Sequence, residues 1–129
     1  MAQTYISASD RHSLFYRHLV DNLRNAGVEI VDSALDATAT FSIVTDDTGQ
    51  RVLSVSARNV PREYEVYYTV VYELGTVEKP LLPRRAQTLT RDYTWDETRV
   101  LGKEEEEQLL REAIVDDLVR VILIQLSGI

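Results

Sequence analysis

Residues 62–74 read REYEVYYTVVYEL, and the stretch alternates with a period of two. Tyr64, Val66, Tyr68, Val70, Tyr72 and Leu74 fall on one side, and Glu63, Glu65, Tyr67, Thr69, Val71 and Glu73 on the other. Successive side chains of a strand point to opposite faces, so this is an antiparallel strand with one buried face. That buried face needs cover, and the segments on either side must supply it.

Upstream, ATFSIVT (39–45) and RVLSVSA (51–57) are strand-like, and DDTGQ (46–50) between them reads as a turn or bulge. RNVPRE (58–63) is a hairpin loop. Downstream, GTVEKPLLP (75–83) reads as a second loop, and RRAQTLTRDYTW (84–95) as the last strand. Leu89, Arg91, Tyr93 and Trp95 share one face of it.

The two ends of the chain carry a helical period. After a short first strand, TYISAS (4–9), Asp10 and Ser13 are candidate N-caps. Leu14, Phe15, Leu19, Val20 and Leu23 recur at helical spacing, and Gly27 closes that helix. VEIVD (28–32) is a short extended stretch. From Glu104 to Leu126 a second helix shows the stripe Leu110, Ile114, Leu118, Val121, Ile122 and Gln125, widened by Val115 and Val119. The pattern predicts an α+β fold: two helices on one face of a four-stranded, mostly antiparallel sheet, in the order β-α-β-β-β-α. The β-α-β start calls for a right-handed crossover. Leu19, Leu23, Leu110, Ile114, Leu118 and Ile122 are the expected buried contacts.

With 129 residues the chain is one domain, 1–129. Its net charge of −7 excludes a general nucleic-acid surface, which needs a basic face. Residues 103–129 alone carry −4. The absence of cysteine excludes disulfides, thiolate metal sites and thiol catalysis. No apolar run approaches the ~20 residues of a membrane span. A strand that starts almost at residue 1 is expected where a targeting segment has been removed.

Catalytic chemistry finds little support. His12 and His18 are six apart on one helix and do not share a face, so no metal site is expected. Glu104 to Glu107 point in different directions around a helix; they read as a solvated first turn that suits the helix dipole. Asp116 and Asp117 lie within helical reach of Arg120, as in a structural ion pair. No phosphate loop, nucleophile elbow or zinc motif occurs. Neither an enzyme nor a cofactor is expected. Two features remain. Arg58 and Arg62 flank a hairpin tip, and arginine suits bidentate contact with phosphate or carboxylate. Tyr67, Tyr93 and Trp95 are expected on an open sheet face, where exposed aromatics would meet a partner.

Three segments resemble the LptE family of lipopolysaccharide-assembly lipoproteins. LVDNLRNAGVEIVD (19–32) is similar to the family's first helix and its Gly-Val exit, and REYEVYYTVVYEL to its central strand. LTRDYTWDETRVLGKEEEEQLLREAIVDDLVRVILIQL (89–126) resembles its Arg-aromatic strand, its Leu-small-Lys-acid step and its final helix. The resemblance implies a non-enzymatic outer-membrane protein that plugs an LptD-type barrel one to one and binds lipopolysaccharide. It would sit on the periplasmic face, held by an N-terminal lipid on a cysteine that is absent from these residues. It further implies lipopolysaccharide contacts at Arg58 and at Lys103, with Arg62 in the same loop; Lys103 would have to project away from its neighbouring glutamates. The competing reading is a periplasmic adaptor that binds only protein through its aromatic sheet face.

Overall fold

The computed structural model describes residues 2–59, 61–94 and 102–128. The chain order is β1 (Gln3–Ser7), α1 (Leu14–Asn25), β2 (Glu29–Val31), a 3-10 turn (Ala34–Asp36), β3 (Ala39–Val55), β4 (Pro61–Gly75), β5 (Pro80–Thr94) and α2 (Lys103–Ser127). The strands form one five-stranded sheet in the order β2-β1-β3-β4-β5. β1 runs parallel to both β2 and β3, while β3, β4 and β5 are antiparallel.

The α+β class and the two covering helices agree with the sequence pattern, but the sheet has a fifth strand. The extended stretch after α1 is β2, which pairs with β1 from Gln3↔Glu29 to Tyr5↔Val31. The two strands expected before the hairpin are one 17-residue strand, β3. DDTGQ is not a turn: it continues the strand past an irregularity between Ile43 and Thr45. The second loop is also shorter than expected. Only residues 76–79 turn, closed by Thr76 N–H donating to the Lys79 carbonyl at 2.9 Å, and PLLP already belongs to β5.

Both helices cover the face of β4 that carries its even-numbered residues. Val66, Tyr68, Val70, Tyr72 and Leu74 are buried there against Phe15, Leu19 and Leu23 of α1 and Ile114, Leu118 and Ile122 of α2. Leu110 is only half-buried. Ser13 caps α1 by accepting from the Tyr16 N–H at 3.0 Å. Gly27 leaves the helix at φ 89°, a left-handed conformation that glycine adopts without steric cost.

Two hydroxyl groups pin the helices to β4. Tyr68 OH donates to the Asp46 carboxylate, which also accepts from Ser13 Oγ; Tyr68 OH in turn accepts from the Phe15 N–H at 3.4 Å. Burial first, and Asp46 second, push the Tyr68 phenol well above its ordinary pKa. Tyr72 OH donates to Gln125 Oε1 on α2, and burial raises its pKa too. Between the helices, His18 Nδ1 lies 3.0 Å from Asp116 Oδ1. His18 and Asp116 thus link the two helices.

Candidate functional site

The β3–β4 hairpin ends in a tight turn. Asn59 N–H donates to the Ser56 carbonyl at 2.9 Å, and Arg58 N–H donates to Ser56 Oγ at 3.3 Å. Asn59 takes φ 62°, a left-handed value that asparagine tolerates better than most residues. The turn leaves Arg58 and Arg62 exposed, lining an open hollow of about 440 Å³ with Ser56 and Ala57. No ion pair engages either arginine among the described residues. Val60 at the tip lies outside those residues.

The same end of the sheet holds Lys103. Strand register places Val52, Tyr64 and Tyr93 in one row across β3, β4 and β5, next to the hairpin. Tyr64 and Tyr93 stack, with ring centroids 5.3 Å apart. Lys103 is the first residue of α2, and its Nζ sits 4.5 Å from the Tyr64 ring centroid. That nitrogen is also 3.5 Å from Glu107 Oε2, one turn along the helix. The structure therefore brings Arg58, Arg62 and Lys103 to one end of the sheet.

Lys103 does not project away from the glutamates, as had been required of it. Glu107 also departs from expectation. Glu105 does serve the helix end, its carboxylate accepting from Gly102 N–H at 3.3 Å. Glu107, however, is buried, with 5% of its surface exposed, and accepts from Tyr93 OH at 2.8 Å. A buried carboxylate needs compensation, and Lys103 and Tyr93 provide it. Burial first, then the bond to Glu107 and its charge, push the Tyr93 phenol well above its usual range. The signal for this was in the sequence. Counting back from Ile114 through Leu110, Glu107 and Lys103 continue the apolar stripe of α2, so Glu107 faces the sheet.

The aromatic partner surface is not where it was expected. Tyr93 is buried on the helix-covered face, beside Tyr64, and Trp95 lies outside the described residues. Tyr67 does belong to the open face, but it lies across Gly49, where an added Cβ would stand 2.6 Å from its hydroxyl oxygen. Arg51 covers its ring at 4.5 Å and pairs with Glu65 at 3.5 Å. The bare strand position at Gly49 exists to receive that ring.

The profile of the LptE lipopolysaccharide-assembly family matches residues 1–126. The chain belongs to the LptE family. Rare lipoprotein B of Shewanella oneidensis is 27% identical, with TM-score 0.82 over 98% of this chain and 94% of that one. Lipoprotein B of Nitrosomonas europaea is 26% identical, with TM-score 0.81 over 98% and 82% of the two chains. A minor lipoprotein of Acinetobacter baumannii shares the fold at 18% identity, with TM-score 0.78 over 98% and 91%. No curated protein matches the chain significantly in sequence. LptE proteins are non-enzymatic outer-membrane lipoproteins of lipopolysaccharide assembly and work with its transport machinery.

Proposed function

We propose that this LptE protein plugs an LptD-type barrel one to one on the periplasmic face, held by an N-terminal lipid. In that position it would bind lipopolysaccharide through Arg58, Arg62 and Lys103. The observation that supports the reading is the gathering of these three cations at one end of the sheet, in a chain of net charge −7. Residues 51–62 contain three arginines and no acid. Lipopolysaccharide carries phosphorylated sugars, and a well-formed charge-assisted contact to phosphate contributes about 1.5–3 kcal/mol. Arg58 and Arg62 can offer their full donor fork to such a group. Lys103 meets it already oriented by Tyr64 and Glu107.

Two experiments test this. Arg58→Asp combined with Arg62→Asp is expected to weaken binding of purified lipopolysaccharide at low salt without moving the melting temperature. Unaltered affinity would leave these arginines as solvated loop charges. Purification of the lipidated protein from its native membrane is expected to bring down a large β-barrel in equal amount. Recovery of the protein without a barrel would favour the adaptor reading.

A further inference from the structure

The cations account for only half of an amphiphile. The other half of the site lies one step back along β3. Val52, Leu53 and Val55 are 50%, 47% and 52% exposed, so three apolar side chains within four residues stand half in water. In a regular strand, Val52 and Leu53 would point to opposite faces. Here the register slips between Val52 and Ser54, and again between Ser54 and Val55. The slip inserts Leu53 as an extra residue and breaks the alternation, which is how a bulge re-aims side chains at the end of a strand pair. No residue of β3 beyond Ile43 is buried, and the bulge falls among these three exposed apolar side chains at its hairpin end.

This apolar end runs directly into the arginine turn. Arg58 and Arg62 are three and seven residues beyond Val55. Two acids lie close by: Glu63, paired across from Ser54, and Asp92 share a shallow hollow of about 220 Å³ with Leu53, Tyr93 and Thr94. A phosphate is disfavoured in that hollow and favoured at the arginine turn, which sets the direction of an amphiphile lying between them. Resting on the lipopolysaccharide-binding reading above, we infer that the bulged end of β3 is the acyl-chain half of that site. Val52, Leu53 and Val55 take the hydrocarbon, while Arg58 and Arg62 take the phosphate. The occupant is a single phosphorylated, multiply acylated glycolipid, and the charge layout sets its direction.

The test compares purified lipopolysaccharide with the same molecule chemically deacylated but still phosphorylated. The parent protein is expected to bind the acylated form about tenfold or more tightly, because apolar area leaves water only there. The triple variant Val52→Thr/Leu53→Thr/Val55→Thr keeps strand-forming side chains and is expected to lose that preference while binding the deacylated form as the parent does. If the triple variant fails to fold by circular dichroism, Leu53→Thr alone replaces it and should lose part of the preference. A variant that keeps the parent's full preference, or that weakens both forms equally, would overturn the assignment of the acyl half. Capture of the parent by vesicles of anionic phospholipid as strongly as by lipopolysaccharide would overturn it in favour of a general membrane contact. The phosphate-binding reading fails separately, by unchanged binding of both forms in Arg58→Asp/Arg62→Asp.

Discussion

At the hairpin tip, Arg58 stands exposed on a turn held by its own backbone, with no ion pair among the described residues. At the start of α2, Lys103 is one-third exposed and held between a tyrosine ring and a buried carboxylate. Both cations sit at the same end of the sheet and belong to the same proposed site. The tip can rearrange around a ligand at little cost to the fold. The helix start can present its charge in only one place, and disturbing it disturbs the fold. An exposed arginine keeps its side-chain entropy until it binds, whereas Lys103 has already given up much of its own. A substitution at the tip should therefore register in binding, and one at the helix start in stability as well.

The difference can be broken or sharpened by mutation, with the core as the scale. Leu118 of α2 is fully buried against the sheet, and Leu118→Ala should cost about 2–5 kcal/mol of unfolding free energy, as cavity-forming leucine truncations do. Chemical denaturation measures it. A loss below 1 kcal/mol would mean that α2 is not the lid of this core and that nothing at its start can be structural. Glu107→Ala comes next, at about 1–3 kcal/mol, because it strands the buried Tyr93 hydroxyl and takes the counter-charge from Lys103. If Glu107→Ala is as neutral as Arg58→Ala, the contrast between the two ends disappears.

Lys103→Met should cost about 1 kcal/mol, since the cation over Tyr64 and the partly exposed ion pair are each worth less than that alone. Arg58→Ala should stay within about 0.5 kcal/mol of the parent, as surface substitutions away from special features do. The decisive measurement is the double variant Lys103→Met/Glu107→Ala. It should cost clearly less than the two single changes added together, because the residues share one interaction. Strict additivity would show that Lys103 is as independent as Arg58.

The sequence reveals the tip and conceals the helix start for physical reasons. β4 is legible because its side chains obey the strand period from Val66 to Leu74. The arginine loop is legible because Asn59 and Pro61 mark a turn. β3 misleads because its turn-like residues have tertiary tasks. Asp46 accepts from Ser13 and Tyr68, and Gly49 makes room for Tyr67, so packing overrides local propensity. β2 is three residues long and exists only through its pairing with β1, a non-local contact that no local pattern announces. The Tyr64–Tyr93 stack required the β4–β5 register, and that register depends on a turn five residues shorter than GTVEKPLLP made it look. Glu107, by contrast, shows in the local pattern, as the polar member of an apolar stripe.

A third cation lies between the two extremes, and it makes the smallest prediction. Arg91 on β5 is nearly half exposed, like a tip residue, yet it is paired, like Lys103: its guanidinium donates to Asp117 on α2 at 2.8 Å. That hydrogen bond is the largest influence holding the Asp117 carboxyl below its ordinary range; the charges of Arg91 and Arg120 add to it. A carboxyl depressed in the folded state contributes stability above its unfolded pKa, and that contribution is lost as pH falls through the folded value. Arg91→Ala should therefore let Asp117 titrate at a higher pH, seen directly in its carboxyl carbon resonance. At neutral pH the variant should be less stable by no more than about 1 kcal/mol, the usual worth of an exposed pair. In acid the difference from the parent should shrink, because both proteins then carry a protonated Asp117. A gap that stays constant down to the acid limit would mean that Arg91 stabilises through its aliphatic stem against the helix. It would then belong with the residues that hold the fold, and pairing alone would no longer separate Lys103 from Arg58.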